Sequence, residues 1–356
     1  MSGRKKTNLP THETLVYEFW RKLVNTPRDC RSITDAWDNI QEFEWKASNQ
    51  RDAPCEIFDI NAPLTLQGMW FGYTPLCICL LMFHHDTAWF FLEICKADVN
   101  AKSNGQTLGS SAQGRAPLHF AASNASASET MIRVMCRLLQ HGADTSAIDT
   151  NGMTALHYVC SGRMDRNSFR ALNALRDVLT ATVDKSSLVS MLDFNGESAL
   201  SYACAVFQPR PYDIDILNIL IENGANVNSK KGILVRAIDG MQDQHRRTMF
   251  FGNTRVPRWY KAIKILLLAG ADPFAIYEEG SAMGKASQLA KGKHPAADNI
   301  KAIFVGIQEA TDALKEQDLH PVISHSKMKH IIETVESVHD SDKRRCNQFG
   351  RSLSDD

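Results

Sequence analysis

Cysteines, histidines and one glycine–lysine segment supply the side chains that could do chemistry in this sequence, and spacing decides what each can do. Cys77-x-Cys79 followed by His84-His85 has the ligand types of a zinc site. Alternate residues of a helix, however, point about 200° apart, and no second Cys or His pair follows at finger spacing. His320, His325 and His330 advance five residues at a time, which rotates them around a helix instead of stacking them. Gly280-Ser-Ala-Met-Gly284-Lys285 has the look of a phosphate loop, yet it has three residues between its glycines where that loop has four. Ala286 also stands where the magnesium-binding hydroxyl belongs. His119 and His157 have no nucleophile at a defined spacing. No catalytic residue, metal or cofactor is therefore expected.

The elements that carry these residues repeat. Four segments align on a glycine: Gly72-Tyr-Thr-Pro-Leu-Cys-Ile-Cys79, Gly114-Arg-Ala-Pro-Leu-His-Phe-Ala121, Gly152-Met-Thr-Ala-Leu-His-Tyr-Val159 and Gly196-Glu-Ser-Ala-Leu-Ser-Tyr-Ala203. A second motif interleaves with them, as Lys96-Ala-Asp-Val-Asn100, Gly142-Ala-Asp-Thr-Ser146, Gly224-Ala-Asn-Val-Asn228 and Gly270-Ala-Asp-Pro-Phe274. Glycine after an apolar run ends a helix by taking the left-handed conformation. Thr154 or Ser198 starts the next by offering a side-chain oxygen, and Pro75 and Pro117 suit a first turn. Stretches such as Asp149-Thr-Asn-Gly152 are turns. The unit is helix, tight loop, helix, with any strands confined to short loop hairpins.

This motif pair resembles the ankyrin repeat, most closely at Gly114 to Ala121 and Gly152 to His157, over about residues 65 to 290. The resemblance implies an all-α, ankyrin-like helical solenoid, in which His119 and His157 hydrogen-bond neighbouring backbone. The glycine spacings of 42, 38 and 44 exceed the family's 33 or so. The extra residues are expected between the first and second helices of several repeats, on the rim opposite the loops. One loop looks decayed, at Asp184 to Asp193.

Helical caps are expected at both ends, because an open stack must hide its apolar face. Residues 1–64 carry two stripes at helical spacing, Leu15, Val16, Phe19, Trp20, Leu23, Val24 and Ile33, Trp37, Ile40, Phe43. Residues 291–339 carry Ile300, Ile303, Phe304, Ile307 and Leu314, and residues 340–356 read as a disordered polar tail.

The resemblance implies a non-catalytic protein-interaction scaffold or adaptor. One alternative is a ubiquitin-ligase substrate receptor, since Leu9-Pro10, Pro27-Arg28-Asp29 and Trp37 distantly resemble an F-box; an enzyme is a remoter one. Forty basic residues balance forty acidic ones, which argues against general nucleic-acid or anionic-membrane binding. The most apolar window, Leu76 to Phe83, is far too short to span a bilayer. Nine scattered cysteines read as reduced thiols, and no secretory signal is evident, so an intracellular protein, cytoplasmic or nuclear, is expected.

Two surfaces are candidates for the partner. Phe120, Tyr158 and Tyr202 lie about 200° from Leu118, Leu156 and Leu200, so helix geometry predicts an aromatic ladder facing away from the core on the concave side. The second is basic: residues 230 to 264 carry nine Lys and Arg, including Arg246, Arg247, Arg255 and Arg258, against Asp239 and Asp243. An acidic or phosphorylated segment would suit it.

Overall fold

The structure is a computed structural model that describes residues 11–25, 29–48, 57–64, 71–104, 106–107, 110–111, 114–161, 168–205, 213–228, 232–239, 256–277, 280–288, 295–316 and 323–337. The chain divides into two compact units, Met1–Val183 and Asp184–Asp356.

The first unit contains α1 (His12–Asn25), α2 (Cys30–Ser48), α3 (Pro75–Leu81), α4 (His85–Glu93), a hairpin of β1 (Gln106–Thr107) and β2 (Ser110–Ser111), α5 (Pro117–Asn124), α6 (Glu129–Gln140), α7 (Ala155–Ser161) and α8 (Ser168–Ala181). The second contains α9 (Lys185–Ser190), α10 (Ala199–Ala205), α11 (Asp213–Glu222), α12 over 233–239, α13 (Val256–Leu268), a hairpin of β3 (Ile276–Tyr277) and β4 (Gly280–Ser281), α14 (Ala282–Ser287), α15 (Pro295–Glu316) and α16 over 325–337. Strands among the described residues are confined to these two antiparallel hairpins, in the registers Gln106 to Ser111 and Ile276 to Ser281.

Local chemistry explains where the helices begin and end. Thr74 Oγ1 accepts from Cys77 N at 3.3 Å with Pro75 in the first turn of α3, and Pro117 holds the same place in α5. Ser198 Oγ accepts from Ser201 N at 3.1 Å to start α10. Gly142 closes α6 with φ of 84°, and the following Ala143 N donates back to Leu138 O at 2.9 Å. Lys96 takes the same left-handed position after α4, at φ 53°, although it has a Cβ. The decayed loop is a helix in its own right, with Asp184 capping α9 through Ser187 N at 2.9 Å.

In the first unit, α3 packs on α4, α5 on α6 and α7 on α8. First helices also stack on first helices, α3 on α5 on α7, and second on second, α4 on α6 on α8. Leu118 and Leu156 are buried in that layer, as are Met131, Val134, Met135 and Leu138 of α6. In the second unit α10 packs on α11 and Leu200 is likewise buried. The long connections, 162–167, 206–212 and 240–255, fall between first and second helices and lie outside the described residues.

At the start of the first unit, α1 packs on α2 and α2 on α4. Phe19, Trp20, Leu23, Ile33 and Ile40 are buried there. Trp37 lies against Phe19 and Phe58, with ring centroids 6.2 and 6.1 Å away. In the second unit α13 and α14 both pack on α15, whose Ile300, Ile303, Phe304 and Ile307 are buried. Glu336 of α16 accepts from Tyr260 Oη at 3.0 Å and Lys264 Nζ at 2.7 Å. The 340–356 tail lies outside the described residues.

Neighbouring loops are joined by asparagine side chains. Asn100 Oδ1 accepts from Asp144 N at 2.9 Å, while its Nδ2 donates to Gly142 O at 3.2 Å. Asn228 repeats both bonds in the second unit, to Asp272 N at 2.8 Å and Gly270 O at 2.9 Å. A related turn occurs before residue 65: Asp59 Oδ1 accepts from Asn61 N at 2.8 Å, and Asn61 Oδ1 accepts from Asp98 N at 2.7 Å.

Candidate partner-binding site

The loop bases, where each turn meets the first helix of its repeat, gather most of the polar side chains singled out above. In the first unit the turn Asp149-Thr-Asn-Gly152 is organised by one carboxylate. Asp149 Oδ1 accepts from Asn151 N at 2.8 Å and Met153 N at 3.0 Å, an Asx-type turn. Its Oδ2 accepts from Tyr158 Oη at 2.6 Å, and none of the side chain is exposed. Burial, with Asp149 beside it, raises the Tyr158 hydroxyl above the ordinary phenol range.

Arg115 covers this turn. Its Cζ lies 4.6 Å from the Tyr158 ring centroid and 5.9 Å from that of Phe120, within cation–π range. Its Nε stands 3.6 Å from Asp149 Oδ2. That separation is an ion pair but exceeds a hydrogen bond, and Nε has no acceptor among the described residues.

The histidines do what the ankyrin resemblance implies. His119 Nδ1 accepts from Ala116 N at 3.0 Å, so its Nε2 carries the proton and donates to Ala147 O at 3.0 Å and Met153 O at 3.1 Å. Burial lowers its pKa and keeps the ring neutral. His157 Nδ1 accepts from Thr154 N at 3.1 Å. His119 thereby braces loop against helix, and His157 Nδ1 also lies 2.9 Å from the Thr154 hydroxyl at the start of its own helix.

The aromatic ladder needs correction on this geometry. Tyr158 and Tyr202 turn to the loop base, where each hydroxyl meets a turn aspartate, and Phe120 is a core residue, so the three do not form an open ladder. Phe120 is 1% exposed, with its ring centroid 5.8 Å from that of Tyr73, and Tyr158 is 7% exposed. Tyr202, in the second unit, is half-buried, and its Oη donates to Asp193 Oδ2 at 2.8 Å. A phenol needs an acceptor when buried, and the turn aspartate nine residues earlier supplies it. Arg246, Arg247 and Arg255 lie outside the described residues, as does the side chain of Arg258.

Cys77 and Cys79 are both buried, and burial pushes the Cys77 thiol up to about 11, which leaves it unreactive. Among the described residues no group of three or more His, Cys, Asp and Glu could hold a metal ion. No helix among them is long and apolar enough to cross a membrane.

Sequence reasoning missed the loop tips. Phe194 is 72% exposed and Ile276 87%, both on loops of the second unit, and Phe71 is half-exposed beside Gly72 in the first. The available signal was Phe194 standing inside Asp193-Phe-Asn-Gly196, where the sister turn has Thr150.

Comparison with known proteins bears on residues 125–231, which match the family model of ankyrin repeats (3 copies). No curated protein sequence matches the chain. Among solved structures it is similar to the ankyrin repeat domain of Bcl-3, a member of the IkappaB protein family, at 20% identity. That alignment covers 61% of this chain and 80% of the other, with a TM-score of 0.42. The family match falls on α6 to α11 with their intervening turns, so residues 125–231 are similar to ankyrin repeats, on an all-α framework of paired helices.

Proposed function

We propose that the chain is a non-catalytic scaffold or adaptor that binds another protein through its loop side, inside the cell, in cytoplasm or nucleus. Ankyrin repeats are a protein-interaction module. The observation that carries the reading is the pair of large apolar side chains standing in solvent, Phe194 on a turn that ordinarily carries polar residues and Ile276 on the β3–β4 hairpin. Free thiols at the described cysteines suit a reducing compartment. The basic segment at Arg246, Arg247, Arg255 and Arg258 offers a second, salt-sensitive contact for an acidic or phosphorylated segment.

The test is quantitative affinity purification from cells with wild type and with Phe194→Asp and Ile276→Asp. Both side chains are exposed, so folding should be nearly unchanged. Partner recovery is expected to fall about tenfold or more, the loss of a central contact. Equal recovery with both variants would place the partner elsewhere. Charge reversal at Arg246 and Arg247, read at low and high salt, separates the basic contact from the apolar one. Measurable turnover of a small molecule by the purified protein would end the scaffold reading.

A further inference from the structure

Arg115 is largely desolvated and held in place, and its buried Nε has no acceptor among the described residues. Phe120 and Tyr158 form the bed on which its guanidinium lies, which removes most of the rotamer freedom a surface arginine would lose on binding. Asp149 sits beneath it, but both carboxylate oxygens are already engaged, one by Asn151 N and Met153 N and the other by Tyr158 Oη. The pair therefore stands at 3.6 Å without closing the guanidinium fork. About a fifth of the side chain, 18%, remains exposed. The second unit shows the contrasting case: Arg236 closes its fork on Glu197, Nη1 to Oε2 at 3.3 Å and Nη2 to Oε1 at 3.0 Å.

We infer that Arg115 is a binding residue on the loop side of the first unit, and that its ligand is a carboxylate of a partner peptide, an Asp or Glu side chain or a C-terminus. Planar, two-point donation by a stacked guanidinium is matched to a carboxylate. The buried Asp149 offsets much of the cation, so a singly charged group is favoured over a doubly charged phosphate. Phe120 and Tyr158 then act as positioning residues, contributing to recognition through Arg115 without touching the ligand. The inference rests on the interaction reading above and names the chemistry of one contact within it.

A display library of short random peptides, selected on the full chain, is the probe, with affinities measured by fluorescence anisotropy. Selected peptides are expected to share an Asp or Glu whose change to the amide weakens binding to wild type by about tenfold or more. On Arg115→Gln the same amide change should cost almost nothing, since the cycle removes only the pair. Arg115→Lys, which keeps charge but not fork or stack, should fall between. Arg236→Gln should bind as wild type does. The amide change on the peptide leaves the protein untouched, so the result stands even where an Arg115 variant folds poorly. Peptides that bind without a shared acid, or an amide penalty that persists in Arg115→Gln, overturn the inference and leave the scaffold reading intact. A library that yields no binder counts against both.

Discussion

The two loop bases organised by Asp149 and Asp193 use one plan with different fillings. In each, the aspartate accepts backbone N–H groups of its own turn and the hydroxyl of a tyrosine nine residues on. The residues around the plan diverge. Asp149 has Arg115 over it and His119 beside it, whereas no cation among the described residues reaches Asp193, and Ser201 holds the helix-start position of His119. The second unit has its own arginine, but Glu197 takes both ends of it. The turn itself is thus set by one carboxylate and a short stretch of backbone, and the neighbours decide whether a loop base is only structural or has donors left over.

The sharpest way to break the comparison is to remove each carboxylate. Asp149→Ala strands a mostly buried arginine, two backbone donors and a phenol, and should cost about 3 kcal/mol or more. Asp193→Ala strands no cation and should cost about 1 to 3 kcal/mol. Chemical denaturation of both variants checks the order, and equal losses would show that Arg115 adds nothing to the first site.

Removing only the hydroxyls is gentler. Tyr158→Phe, in the more buried site, should lose about 1.5 to 3 kcal/mol, as expected for a hydrogen bond to a carboxylate, and Tyr202→Phe about 1 kcal/mol. Melting temperatures of the two variants should fall in that order.

Acid should separate the units as well. The folded-state pKa of His119 lies below its ordinary value because burial disfavours the cation. The unfolded chain therefore binds the proton more readily. The ring's contribution is present above about pH 6.5 and is lost as pH falls through the depressed folded value. The Ser201 site has no such group. The drop in melting temperature on acidification should shrink in His119→Gln; an unchanged drop would assign the acid sensitivity elsewhere.

The smallest effect lies at two helix ends in the first unit. Gly142 takes its left-handed φ without strain, while Lys96 takes the same position with a side chain. Lys96→Gly should stabilise by about 1 kcal/mol, read as a small rise in melting temperature. No rise would mean that the lysine stem recovers the strain by packing.

Much of this was legible in the residues. Helix starts at Pro75, Pro117 and Ser198, stops at Gly142 and Gly224, and the buried leucines 118, 156 and 200 all follow from local chemistry and period. Orientation was legible only in part. A helical wheel places Tyr158 opposite Leu156 correctly, but it cannot say that the opposite side is filled by a loop from the same repeat. The spacing that would have said so is present: Asp149 to Tyr158 and Asp193 to Tyr202 are both nine residues, while Phe120, which needs no acceptor, has Ser111 at that distance. The Asp59–Asn61 turn was missed because only its two polar residues survive from the motif, and Arg115 because a stacking bed belongs to tertiary structure.

The asparagine clasps between loops carry a consequence for how this architecture tolerates length. A carboxamide offers a carbonyl at one end and an N–H at the other, so Asn100 and Asn228 each act as a surrogate peptide group that pins the next loop at two points. Both clasps span 42 residues, yet the first encloses the β1–β2 hairpin and the second encloses the stretch 240–255 between α12 and α13. Loop-to-loop register is thereby uncoupled from what the intervening chain does. Segments can be lengthened or exchanged between those anchor points while the joined loops stay put, which makes the intervening stretches natural places to graft new sequence.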